Sequence, residues 1–221
     1  MNICVVPFHE ASNTRVIRMF LSTKELPERL QSLDGLYYKG NASLLNEYII
    51  AVVGKRDVSD KEFTIAYDVG RFIAEQGIVV ANGVARGCDQ AALQGALDAG
   101  GKTIAIMPCG VDIVYPYSAR KILNQIIANN GCIISEYPDK TKPQKWQFIA
   151  RDQIQALIAD KVCVIASDLN GGTMHTINYS LKNNKEMIVY WDKKGNQREG
   201  NIFLKDKAKT FSSKTELNNV L

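Results

Sequence analysis

Six short runs of apolar, largely β-branched residues recur along this 221-residue chain, at 49–54 (IIAVVG), 78–82 (IVVAN), 103–108 (TIAIMP), 132–138 (CIISEYP), 161–167 (KVCVIAS) and 186–191 (EMIVYW). Each is close to continuously apolar instead of alternating with polar residues. That pattern suits strands covered by helices on both faces, as in parallel sheets. Their starts lie roughly 25–30 residues apart, the length of a strand–helix–strand unit.

Helix punctuation fills the gaps. Ser59, Asp60, Lys61 and Glu62 read as a capping box, in which serine and glutamate side chains satisfy each other's free backbone amides. Phe63, Ala66, Gly70 and Ile73 then share one helical face, and Gly77 stops the helix. A second helix is predicted over 89–99, a third over 118–129 and a fourth over 146–159. The expected class is α/β, an open, doubly wound, mostly parallel sheet spanning about 37–192.

The ends read differently. Residues 1–36 form an N-terminal extension with a strand near 3–6 and a short helix near 16–20. Residues 193–221 form a basic C-terminal tail, with a turn or hairpin over 192–201, a strand at 202–204 and a weak helix beyond. One main domain with two short extensions fits the length.

Composition removes several classes. A hydrophobic share of 46% with 23% charged residues is enough to build a core, so a largely disordered chain is excluded. No window approaches the roughly 18 apolar residues of a membrane span, and no secretory start is evident, so a cytoplasmic protein is expected. The five cysteines make no CxxC pair and there are two histidines, so no metal site is expected and the thiols read as reduced core groups. Lysine and arginine number 27 against 23 aspartates and glutamates. Residues 182–221, with nine basic and five acidic side chains, hold the whole excess. The body is neutral, so attraction to nucleic acid must come from a local patch.

In parallel open sheets, ligands bind beyond the carboxyl ends of the strands. Three of the loops at that edge carry glycine with cations or hydroxyls. The first holds Gly54, Lys55 and Arg56 with Ser59 at the next helix start. Glycine admits close backbone approach, and an arginine fork fits phosphate. The second holds Gly83, Arg86, Gly87 and Asp89, and the third holds Gly171, Gly172, Thr173 and Thr176, a nest of the phosphate-binding kind. Neither a Walker A loop nor a GxGxxG fingerprint is present, which disfavours nucleotide hydrolysis and dinucleotide redox chemistry. The segment 139–151 interleaves Lys140, Lys142, Lys145 and Arg151 with Trp146 and Phe148. Cations can follow a phosphate backbone while rings offer stacking platforms; the same rings can equally be core anchors beside a solvated loop. His175 and Glu136 are the only candidates for acid–base work, and no ordered catalytic set accompanies either.

Taken in order, 37–41 (YYKGN), 51–56 (AVVGKR), 83–89 (GVARGCD), 101–105 (GKTIA), 109–116 (CGVDIVYP) and 134–138 (ISEYP) resemble the DNA-processing protein A family, DprA or Smf. The resemblance covers most of 37–190. It implies an extended Rossmann-like domain that binds single-stranded DNA without sequence choice, dimerises, and helps load a RecA-type recombinase in natural transformation. It implies no cofactor and no catalysis. By position it assigns phosphate contact to Gly54 and Arg56, the second loop to Gly83, Arg86, Gly87 and Asp89, an aromatic-plus-arginine element to Phe148 and Arg151, and the last loop to Gly172, Thr173 and Thr176. Lys145 joins these as a basic neighbour. Departures from the family pattern are Lys55 for serine, Arg151-Asp152-Gln153 for Arg-Asn-Arg, and Gly171-Gly172-Thr173 for Ser-Gly-Ser. The N-terminal helical domain is shortened, and a winged-helix-like C-terminal module is not evident. Asp152 places an anion where DNA would lie, which should weaken phosphate binding. The alternative reading is binding or processing of a small nucleotide, since related proteins use a GGxGT loop followed by a glutamate; here that glutamate is missing.

Overall fold

All six apolar runs form strands, and their burial explains why. In the 49–54 run, Ile50 and Val52 pack into one core while Ile49, Ala51 and Val53 pack into cores on the opposite face. A strand buried on both faces needs no polar alternation. The computed structural model describes residues 6–7, 19–195 and 197–221.

In chain order the elements are β1 (Val6–Pro7), β2 (Met19–Ser22), β3 (Gly35–Gly40), β4 (Ile49–Val53), α1 (Asp60–Glu75), β5 (Val79–Asn82), α2 (Cys88–Asp98), β6 (Thr103–Ile106), β7 (Ile113–Val114), α3 (Arg120–Ala128), β8 (Cys132–Ser135), α4 (Lys145–Ile158), β9 (Lys161–Val164), α5 (Thr173–Lys182), β10 (Glu186–Tyr190), α6 (Glu199–Leu204), β11 (Lys209–Phe211) and α7 (Lys214–Val220). Nine strands make one sheet in the order β11-β10-β9-β4-β5-β6-β8-β3-β2. From β11 to β8 all neighbours are parallel, while β3 and β2 add two antiparallel pairings at the far end. Helices α1, α2, α3 and α7 contribute to the core on one face; α4, α5 and α6 contribute to the two clusters on the other. This is the doubly wound architecture expected from the sequence.

The sheet is wider than 37–192, because β2 and β11 extend it at both margins. The strand expected at 202–204 is instead the end of α6. Tertiary hydrogen bonds decide it: buried Asn201 donates from Nδ2 to the Ile165 and Tyr190 carbonyls and accepts from the Ser167 amide. The helix expected near 16–20 lies largely outside the described residues, and from Met19 the chain is extended. Residues 3–5 of the expected first strand, and Cys4 with them, also lie outside; the other four cysteines are free and buried.

Helix α1 starts as predicted, with Ser59 Oγ accepting from the Glu62 amide and Glu62 accepting from the Ser59 amide. Its contact with α2 runs on small residues. A β-carbon on Gly70 would overlap the backbone of Ala92, and one on Gly95 would overlap the carbonyl of Tyr67. Phe63 was expected on this buried face but is exposed. It sits about a turn ahead of Ala66, the first buried residue of the helix.

Candidate functional site

The strand order reverses at β4. Strands β5, β6 and β8 add successively on one side of it, and then β9 enters on the other side. The loops leaving β4 and β9 therefore diverge to helices on opposite faces, α1 and α5, and open a crevice between them. Their bases remain stitched together, since the Lys55 amide donates to the Ala166 carbonyl at 2.9 Å.

The crevice is a cleft of about 350 Å³, and from the expected residues it gathers Gly54, Lys55, Arg56, Asp89, Arg151, Gly171, Gly172, Thr173 and Thr176. A second cavity of about 270 Å³ gathers Gly83, Arg86 and Phe148. Arg56, Ala85 and Arg151 line both cavities and form the wall between them. Arg56, Arg86 and Thr173 thus share one edge of the sheet. Three expected residues line neither cavity. Ser59 is occupied as the α1 cap, Gly87 is the N-cap of α2, and Lys145 is the exposed first residue of α4.

Several glycines serve packing more than ligand access. A β-carbon on Gly83 would overlap the Arg151 guanidinium, and one on Gly54 would overlap Cys88 Sγ. Gly87, at φ +82°, lies against the carbonyls of Lys55 and Arg56. Gly172 is the open one, with nothing near its β position. Between Gly83 and Ala85 the chain passes through Val84 at φ +55°, a conformation a β-branched residue rarely adopts. Asn82 holds it there: its Oδ1 accepts from the Val84 amide at 3.0 Å, while its Nδ2 donates to the Val52 and Asp89 carbonyls.

Arg151 is the central cation. Its side chain is 4% exposed, with Nε 3.0 Å from Asp152 Oδ1. That is an ion-pair distance without hydrogen-bond alignment, and both Nε and Nη1 are buried with no hydrogen-bond partner among the described residues. Asp89 faces it, accepting from the Gly83 and Ala85 amides at 3.2 and 3.4 Å. Burial raises the Asp89 carboxyl to about 6, against the pull of Arg151. Burial also raises Asp152, opposed by Arg151, His175 and Arg56. Lys55, expected to be free for phosphate, pairs with Asp168, which also has Arg198 at 3.9 Å. The first cleft has no excess of positive charge as a result: three cations, Lys55, Arg56 and Arg151, face four carboxyls, Asp57, Asp89, Asp152 and Asp168.

The Asp89 environment gives a pH prediction. Its folded pKa of about 6 exceeds the ordinary 3.8, so between those values the folded state holds more protons than the unfolded one. Stability should therefore fall as pH rises through that window, by up to about 3 kcal/mol from this group. Asp89→Asn should flatten the pH 4–6 limb of the unfolding free energy measured in urea. An unchanged slope in the variant would refute the assignment.

The two candidates for acid–base work do not converge. Glu136, after β8, is raised by burial and by Asp34, and it lines neither cavity. His175 is exposed on α5. Among the described residues no cluster of His, Cys, Asp and Glu fits a metal ion, and no helix is long and apolar enough to cross a membrane. Sequence reasoning passed over Asp168, Gln155 and Tyr117. Tyr115 was within a family motif but carried no assigned role.

Trp146 and Phe148 are not core anchors. Trp146 is 57% exposed and edge-packed on Tyr137, with ring centroids 5.6 Å apart. Phe148 is half-buried, 5.4 Å from Tyr115, with the Arg56 guanidinium 5.8 Å from its ring centre.

Residues 18–221 match the family model described as DNA recombination-mediator protein A. The DNA processing protein DprA of Streptococcus pneumoniae is 36% identical over 156 residues, covering 70% of this chain and 54% of that protein. The chain thus spans about half the length of that curated relative, and 35% of the next, Protein Smf of a Synechocystis species. The solved structure of DNA processing protein A from Helicobacter pylori, described for its single-stranded DNA binding mode, aligns with a TM-score of 0.82 at 28% identity over 93% of this chain and 95% of that one. The X-ray structure of the Streptococcus pneumoniae protein aligns with a TM-score of 0.84 at 27% identity, covering 91% and 74% respectively. With a match that runs unbroken through the sheet and both walls of its crevice, this chain belongs to the DNA recombination-mediator protein A family.

Proposed function

We propose that this chain binds single-stranded DNA without sequence selectivity, through backbone phosphates held along the carboxyl edge of the sheet. The observation that carries the reading is the convergence of the loops after β4, β5 and β9 with Arg56 and Arg151 on two adjoining cavities. The similarity to a family member studied with single-stranded DNA supports it. In this role the chain acts without chemistry of its own, as a homodimer that presents the strand to a RecA-type recombinase in the cytoplasm.

Arg56 is exposed, and it is the cation common to both cavities that forms no ion pair among the described residues. Charge-assisted hydrogen bonds contribute about 1.5–3 kcal/mol, so Arg56→Ala should weaken oligo-dT binding by about 10- to 150-fold. Losing one phosphate contact should also reduce the salt slope of log K by about 0.7. Fluorescence anisotropy at two salt concentrations reads both quantities. Binding that is absent, or indifferent to salt in the wild type, would overturn the proposal.

The four aspartates of the first cleft favour a second reading, a small nucleotide whose hydroxyl or amine donors would meet those carboxylates. Thermal stabilisation by mononucleotides, with none by oligo-dT, would put this reading in place of the first.

A further inference from the structure

Asp168 carries a cation on each of its carboxylate oxygens. Its Oδ2 is paired with Lys55 Nζ, and its Oδ1 has Arg198 Nη1 at 3.9 Å. The two cations stand in different surroundings. Lys55 and Asp168 line the first cleft, whereas Arg198 lines a third cavity of about 320 Å³ at the start of α1 and no part of the first. One carboxylate is thus shared between a lysine that can reach a ligand and an arginine that stands behind it.

The arginine is held and the lysine is not. Arg198 donates from Nε and Nη2 to the two oxygens of Glu62 at 2.6 and 2.9 Å, which leaves Nη1 facing Asp168. Glu62 in turn accepts from the Ser59 amide and hydroxyl at 2.8 and 2.9 Å, and the arginine keeps its carboxyl down to about 2. The preceding residue of α1, Lys61, pairs with Asp192, so the segment that carries Arg198 is tied to α1 at two points. Lys55 is fixed through its backbone: its amide donates to the Ala166 carbonyl at 2.9 Å and its carbonyl accepts from the Cys88 amide at 3.1 Å. Its ammonium sits on a flexible four-carbon stem and can change partners. A departing Lys55 would strand Asp168 beside Asp57, Asp89 and Asp152 if no second cation were there.

We infer that Asp168 is an exchangeable counter-ion: a phosphate entering the first cleft takes Lys55 from it, and Arg198, which touches no ligand, keeps the carboxylate neutralised while Lys55 is away. Lys55 is then a binding residue held in reserve. Asp168 and Arg198 are positioning residues that set how readily it is released. The two cations of the β4 loop differ accordingly, since Arg56 has no such partner to leave. This rests on the DNA-binding reading and adds that part of the affinity is set by an internal competitor of the phosphate.

Two double-mutant cycles on oligo-dT affinity, measured over a range of salt, test this. Lys55→Met should lower the salt slope of log K by about 0.7, as the loss of one phosphate contact requires. Asp168→Asn should tighten binding by about 2- to 5-fold, the worth of a partly exposed ion pair. The same change in a Lys55→Met chain should give no gain, because the negative charge is removed there too but no lysine is released. Arg198→Gln should weaken binding by a similar factor, and should do nothing once Asp168→Asn is present. An unchanged salt slope in Lys55→Met would show that Lys55 never leaves Asp168. An equal gain from Asp168→Asn with and without Lys55 would reduce Asp168 to through-space repulsion, and an equal loss from Arg198→Gln with and without Asp168 would make Arg198 a direct contact. Each of these overturns the exchange while leaving phosphate binding intact. No wild-type binding to oligo-dT overturns the DNA-binding reading and this inference with it.

Discussion

Replacing Arg151 by methionine is expected to abolish oligo-dT binding and to destabilise the fold by about 3–5 kcal/mol at neutral pH, the usual cost of leaving buried charges unpaired. The guanidinium is a boundary of both cavities, packs on Gly83 and offsets the neighbouring carboxyls of Asp89 and Asp152. Methionine preserves much of the stem and removes the charge, so the deficit should be electrostatic and should depend on pH. Without the cation both carboxyls lose an influence that lowers them, and their folded pKa values rise further above the ordinary value. The folded variant then holds more protons than the unfolded chain over a wider range. Its stability deficit should be largest above pH 7 and shrink toward pH 5. Urea unfolding at both pH values measures this. A deficit below about 1 kcal/mol, or one independent of pH, would mean that Arg151 fills space and does not compensate charge.

The second large effect is expected far from the cleft. Gly70→Val should destabilise the fold strongly while leaving the cleft residues in place, because its side chain would enter the backbone of α2 at Ala92. Overpacking usually costs about 1–3 kcal/mol when neighbouring side chains can shift. Here the obstacle is main chain, and the two helices carry their contact on glycine and alanine, so about 3 kcal/mol or more is expected. Circular dichroism melts would show it. A midpoint within a few degrees of the wild type would mean that α1 and α2 can separate without disturbing the sheet. The pair Arg151→Met and Gly70→Val also separates two kinds of failure: the first loses binding in a population that is still folded, the second only as the population unfolds.

The central sheet was legible because its strands are covered on both faces and so appear as apolar runs. The margins were less so. Strand β11 buries only Phe211 of its three residues, and β3 is a tyrosine- and glycine-containing antiparallel strand with no sustained run. Helix α6 was misread from Ile202, Phe203 and Leu204, because the feature that fixes it, Asn201 bonded to two carbonyls of neighbouring segments, is invisible in local sequence.

The cleft was legible in its members and less so in their roles. Glycine beside arginine suggested backbone open to a ligand, whereas Gly83 makes room for a buried arginine and Gly54 for a cysteine. Lys55 looked like an added phosphate contact, but Asp168, more than a hundred residues away, takes its charge. Tyr117 belongs to a segment with no glycine, so a search for phosphate loops had no reason to stop there. The signal was a Tyr-Pro-Tyr turn, an aromatic pair just ahead of a helix.

The neighbours of β4 set an order of events during synthesis. Its first partner, β5, leaves the ribosome some thirty residues later, but β9 must wait until the chain has grown past Val164. Until then, one rim of a five-residue strand destined for complete burial lies open, a template for any other extended segment nearby. The crevice has only one bank during that interval, so a nascent chain can hold its ligand only after its most vulnerable rim has been sealed.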